Sequence, residues 1–190
     1  MRKLIFNFAT QHWWPFWSNR RFRKSTRFFP YIEDVDVVNN LTQIKDLVIK
    51  LYNYFEWTAD DISQLFDCIQ PPTQCYVDYK KGLLKDDCDG FHALVHYCLH
   101  YSNIESYLLT ANPKKAKDGH CILLFKLNEK WYVNDYDIVY EGFNTAKKAI
   151  EDYNERYPKL YDCGKVIYNG LLYYDFEKGK FKGEKINNLK

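Results

Sequence analysis

Asp86-Asp87-Cys88-Asp89-Gly90-Phe91-His92-Ala93-Leu94-Val95 is the stretch whose reading decides the fold. Phe91, Leu94, Val95, Cys98 and Leu99 recur at helical spacing, so residues 88–101 are predicted to form a helix with that stripe buried. Asp86 or Asp87 is a natural N-cap, which puts Cys88 in the first turn. Unpaired N–H groups and the positive end of the helix dipole favour a thiolate there. The carboxylates of Asp86, Asp87 and Asp89 oppose it by like-charge repulsion, so a reactive Cys88 needs a cationic partner.

That partner lies downstream. Gly119-His120-Cys121-Ile122-Leu123-Leu124 and Trp131-Tyr132-Val133-Asn134-Asp135 read as two strands, about 120–126 and 131–136. Alternate residues share a face, so His120, Ile122 and Leu124 point one way and Trp131, Val133 and Asp135 another set. A two-residue turn at Leu127-Asn128 pairs His120 with Asp135. A turn at Asn128-Glu129 pairs Ile122 with Asp135 and leaves His120 diagonal. Both keep His120 and Asp135 on one face with Cβ atoms about 4.5 to 8 Å apart, whereas a three-residue turn separates them. Thiol, imidazole and carboxylate then fill the three roles of a nucleophile, a base and a group that orients the base.

Outward from these segments, residues 41–55 carry Leu41, Ile44, Leu47, Val48, Leu51, Tyr52 and Phe55 at helical spacing. Thr58-Ala59-Asp60-Asp61 resembles a capping box ahead of Ile62, Leu65 and Phe66, a helix expected to stop before Pro71-Pro72. Residues 73–85 are read as a loop, as are residues 102–118, which are expected to shape specificity. Residues 144–157 are expected to be a helix ended by Pro158. Residues 166–176 and 178–182 are expected to be a strand pair. Helices first and strands later favour α+β over a parallel βαβ arrangement.

The 190 residues suit one domain, 41–190, with a basic, aromatic N-terminal extension, 1–40. Residues 1–30 contain Trp13, Trp14 and Trp17 and the run Arg20-Arg21-Phe22-Arg23-Lys24. The plain expectation is that the aromatics pack on the domain with the arginines in solvent. A phosphate-tracking arm or an interfacial anchor are the functional alternatives. A net charge of +2 gives no strong pull toward nucleic acid or acidic lipid.

Six cysteines, Cys68, Cys75, Cys88, Cys98, Cys121 and Cys163, form no CxxC pair and no zinc spacing. Met1-Arg2-Lys3 followed by only six residues to Ala9, with Asn7 among them, is a poor secretory signal. No apolar run reaches eighteen residues. The expectation is a cytoplasmic protein with reduced thiols, or a virion-associated one if phage-borne. His92, His96 and His100 share a helix stripe that could hold a metal, with a polar face as the plainer reading. His92 is also one turn from Cys88 and is the alternative base. Asp86, Asp87 and Asp89 could bind calcium, though capping and solvation explain them more simply. No cofactor is otherwise expected.

The three motifs in order resemble the transglutaminase-like cysteine proteinases. Asp87-Cys88-Asp89-Gly90-Phe91-His92-Ala93-Leu94 is similar to the start of that family's catalytic helix. The Gly119-His120 and Trp131 to Asp135 segments are similar to its Gly-His strand and its strand ending in aspartate. Ile69-Gln70-Pro71-Pro72 and Lys80-Lys81-Gly82 resemble the approach to the cysteine in bacterial and phage members. The resemblance spans residues 41–157. It implies a papain-like α+β core, the catalytic helix packed on a small antiparallel sheet, with Cys88 as nucleophile, His120 as base and Asp135 as orienter. It implies hydrolysis of a peptide or isopeptide amide, with transamidation the alternative, on a protein or peptide substrate. Gly90 stands where many members carry an acid. Gln74, Tyr76 and Tyr79 are the candidates for the side chain completing an oxyanion hole. The rival reading is a binding module on the same fold, meeting a protein or nucleic acid through Arg20, Arg21, Arg23 and Trp131.

Overall fold

The computed structural model describes residues 5, 8–21, 35–58, 69–115 and 119–189. The expected helix after Thr58 falls on 59–68, outside the described residues. The chain is α+β. Helices α1 (Trp14–Arg21), α2 (Leu41–Asn53), α3 (Pro72–Lys80), α4 (Cys88–Tyr101) and α5 (Ala146–Tyr161) surround a sheet. Strands β1 (Glu56–Trp57) and β2 (Lys85–Asp86) form a small parallel pair. The main sheet is antiparallel, with β3 (Ser106–Pro113), β4 (His120–Leu127), β5 (Lys130–Asp135), β6 (Ile138–Val139), β7 (Val166–Asp175) and β8 (Lys180–Glu184) in the order β6-β5-β4-β3-β7-β8.

Two apolar layers hold the sheet. On one face Ile44, Val48 and Leu51 of α2, Cys75 and Tyr76 of α3 and Phe91, Leu94, Val95 and Cys98 of α4 pack on Leu108, Cys121, Leu123 and Phe125. On the other, Ala146, Ala149, Ile150 and Tyr153 of α5 pack on Leu109, Ile122, Leu124, Trp131 and Val133. Helix α4 is therefore buried from Asp89 to Leu99 around its whole circumference, not along one stripe. Truncating a fully buried leucine there, such as Leu94, removes roughly 2 to 5 kcal/mol.

Three elements depart from the sequence expectation. Residues 106–113, read as loop, form β3 between β4 and β7. Both its faces are covered, so Leu108 and Leu109 are equally buried and the strand shows no alternation to read. Residues 73–80, also read as loop, belong to α3. Pro72 sits at its first positions, where a missing N–H costs nothing, so the prolines start a helix as well as stop one. Helix α5 runs through Pro158 and ends at Asp162 in a left-handed conformation.

The plain expectation for the N-terminal aromatics is met only in part: Trp14 packs on the core, whereas Phe8, Trp13 and Phe16 stay exposed. A π-helical turn (Ala9–Trp13) and α1 lie against β8. The Asn19 side-chain amide donates to the Phe181 carbonyl at 2.9 Å and accepts the Phe181 N–H at 2.7 Å, occupying groups on the outer edge of the sheet. Trp131, expected at a binding surface, is instead 1% exposed between β5 and α5 and has no face to offer a partner.

Candidate functional site

Asp87 caps α4, its Oδ1 accepting the Asp89 N–H at 3.0 Å. Asp86 Oδ1 accepts the Asp87 N–H at 2.9 Å, and its carboxyl group fills the space where a Cβ at residue 90 would stand. Glycine at 90, the departure from the resembled pattern, thus leaves the space into which Asp86 folds over the first turn. Cys88 emerges half-buried from this cap. Its Sγ accepts the backbone N–H of Cys121 at 3.2 Å. A donor aimed at sulfur stabilises the thiolate and works against the three carboxylates.

Residue 120 precedes that donor. The β4–β5 turn is Asn128-Glu129, both with positive φ, which pairs Leu127 with Lys130 and Leu123 with Asn134. This is the second of the two registers considered, with His120 diagonal to Asp135. The ring closes the diagonal: His120 Nε2 lies 2.8 Å from Asp135 Oδ1, with the imidazole nearly buried and the carboxylate fully so. The second carboxylate oxygen, Oδ2, accepts the hydroxyls of Tyr153 at 3.1 Å and Tyr161 at 2.9 Å. Burial alone would raise the Asp135 pKa. The His120 contact, the charges of His120 and His92 and the Tyr161 hydroxyl outweigh it and hold the group below its ordinary value. Burial and the facing Asp135 raise both phenols, so they stay protonated as donors. The Tyr157 ring stacks on His120 at 5.4 Å and 20°.

His92 is not positioned as a rival base. Its Nδ1 lies 2.6 Å from the Cys88 carbonyl and its Nε2 accepts the Tyr136 N–H at 3.0 Å. A carbonyl must receive a proton and an N–H must give one, so the neutral Nδ1–H tautomer is fixed. Burial pushes its pKa down to about 4, with Asp135 acting against this and His120 reinforcing it. His96 is buried too, bonded through Nδ1 to Ser106 Oγ at 2.7 Å and pushed down to about 3 by burial. His100 stacks on Phe176 at 3.7 Å. The stripe is neither a solvated polar face nor a set of rings turned to one point. Among the described residues Asp86, Asp87 and Asp89 do bring carboxylate oxygens within 4.8 Å of one another. Two of those carboxylates already serve backbone N–H groups.

The three oxyanion candidates all lie on α3 with other partners. Gln74 donates to Asp78 at 2.8 Å, Tyr76 is buried and stacks on Tyr97 at 4.6 Å, and Tyr79 packs beside Tyr54 and Tyr76. Of the candidate binding arginines, Arg20 is exposed, Arg21 ends α1, and Arg23 lies outside the described residues.

Sequence reasoning missed Tyr153, Tyr161, Tyr136 and Trp57. Tyr153, Tyr157 and Tyr161 are spaced by four and share a helix face, a signal hidden by ending the helix at Pro158. Tyr136, at φ 50°, turns its ring onto His92 and His120. Its hydroxyl takes a hydrogen bond from Trp57, which the parallel pairing of Trp57 with Asp86 brings beside the cap.

No family model and no curated protein matches the chain. Ten solved chains are similar to it. One is a candidate cysteine protease of Cytophaga hutchinsonii, with a TM-score of 0.41 and 11% identity over 94% of this chain. The chain spans 60% of that protein's length. A likeness of that size carries no weight for activity. No described helix is long and apolar enough to cross a membrane.

Proposed function

We propose that the chain is a cysteine hydrolase of the transglutaminase-like kind, cleaving a peptide or isopeptide amide. One observation carries the reading: the Cys121 N–H meets Cys88 Sγ at a helix N-terminus, and the preceding residue, His120, is bonded to a buried carboxylate. Asp135 holds His120 through Nε2, which leaves Nδ1 to take the Cys88 proton. The thiolate attacks the carbonyl carbon. Charge develops on its oxygen, which the N-terminus of α4 faces. His120 returns the proton to the leaving amine as the C–N bond breaks and a thioester forms on Cys88. Water, deprotonated by His120, then releases the acid and restores the thiol. An amine in place of water gives transamidation.

The test is incubation of the full chain with a mixed peptide pool, with and without added primary amine, read by mass spectrometry. Expected are new carboxyl termini, an acyl adduct on Cys88, and loss of both in Cys88→Ala. Amine-capped products without hydrolysis would favour transamidation. No adduct and no product under either condition would leave the binding module as the better reading.

A further inference from the structure

The segment before the domain packs Trp14 and Pro15 inward but leaves a second set of large apolar side chains facing out. Two polar side chains join the inner side: Asn19 is bonded twice to Phe181, and Ser18 is 1% exposed. Gly183 of β8 lies so close to the turn that a Cβ there would come 2.3 Å from Gln11 Cα, so the backbone contact fixes the orientation. The outer side then carries Ile5 (61% exposed), Phe8 (58%), Trp13 (41%) and Phe16 (55%), with His12 and Arg20 also exposed. The positions 5, 8, 12, 16 and 20 follow one another at steps of three and four, with Trp13 next to His12. Phe8 rests on His12 at 5.3 Å and Trp13 and Phe16 on Trp17 at 5.8 and 5.3 Å, yet these groups and Ile5 keep a large apolar area in water.

Charge says what covers them. Residues 1–30 hold Arg2, Lys3, Arg20, Arg21, Arg23, Lys24 and Arg27, seven of the 27 basic residues and none of the 25 acidic ones. The rest of the chain therefore carries 20 basic against 25 acidic residues and is acidic overall. An apolar aromatic stripe in a stretch of sequence with basic and no acidic residues matches the boundary of an anionic bilayer, where rings enter the acyl edge and basic side chains stay at the phosphates. We infer that this face docks the protein on anionic membrane surfaces without spanning them. A nucleic acid would need cations interleaved with the stacking rings. Here the densest cluster follows the stripe.

Flotation of the full chain with vesicles tests it, using phosphatidylcholine alone and phosphatidylcholine with about 30% phosphatidylserine. The prediction is flotation with the anionic vesicles, weakened by salt. It should fall at least about tenfold in a Phe8→Ser/Phe16→Ser double variant whose melting temperature is unchanged. Arg20→Gln should weaken it less. Equal flotation of wild type and double variant, or none with either vesicle, overturns the inference. So does an oligonucleotide affinity that Arg20→Gln lowers and the double variant leaves intact, or a dimer that the double variant dissociates. The outcome does not depend on the catalytic reading, since Cys88 takes no part.

Discussion

The backbone N–H of Cys121 points at the sulfur of Cys88, 3.2 Å away. This contact ties the start of α4 to the start of β4 and sets the thiol beside the strand that carries His120. A thiolate in this position is opposed by Asp86, Asp87 and Asp89 and supported by the helix N-terminus, this N–H and His120. The account predicts that support depends on the His120–Asp135 bond.

Replacing Asp135 with Asn keeps the shape of the side chain but removes its charge and frees the imidazole to take the wrong tautomer. Turnover of any peptide found in the pool experiment should fall by about 10² to 10⁴ with little change in substrate binding. A fall below tenfold would mean that Asp135 only packs.

Tyr153 and Tyr161 both donate to the outer oxygen of Asp135. Removing one hydroxyl, as in Tyr161→Phe, deletes a hydrogen bond to a charged group, worth about 1.5 to 3 kcal/mol. It should raise the Asp135 pKa and, with it, the acid limb of the pH–rate profile. An unshifted profile with lowered stability would assign Tyr161 to structure alone.

Acid should unfold the protein through its buried histidines. His92 and His96 sit near 4 and 3 in the fold, whereas an unfolded histidine titrates near 6.5. Between those limits the unfolded chain binds protons that the native chain refuses. Stability is therefore full above about pH 6.5 and is lost as pH falls toward 4, by up to about 3 kcal/mol per pH unit for the pair. Asp135, whose folded value is lowered, adds its own loss at still lower pH. Urea midpoints measured from pH 7 to 4.5 should fall steeply, and less so in His96→Gln. A flat response contradicts the assignment of two neutral histidines.

Glu129 holds φ 59° in the β4–β5 turn, a conformation that favours glycine. Glu129→Gly should stabilise the fold by up to about 1 kcal/mol, because the ion pair it loses with Lys126 is exposed on the glutamate side and worth little. Thermal denaturation reads this directly. Destabilisation would mean that the turn is held by something other than its backbone.

Helix α4 was legible from its helical spacing, and the His120–Asp135 face from the side-chain parity of a hairpin with a two-residue turn, although β4 and β5 are buried on both faces. Strand β3, equally buried, offered neither alternation nor a two-residue turn to set its register. Helix α3 and the last turn of α5 were hidden behind Pro72 and Pro158. A proline's effect depends on whether its missing N–H would have had a partner, which neighbours decide. The partners of the site followed the same divide. Cys88, His120 and Asp135 could be grouped as candidates from spacing, whereas Tyr161 needed the last turn of α5. The buried fates of His92, His96 and Trp131 needed the second layer of packing.

Alkylation by iodoacetamide, followed site by site by mass spectrometry, decides whether Cys88 is an activated thiol. Cys88 should react at pH 7 at least about tenfold faster than Cys98 and Cys163, with a rate nearly flat down to mildly acidic pH, and His120→Ala should abolish the advantage. A Cys88 no faster than Cys98 or Cys163, and indifferent to His120→Ala, would contradict the account.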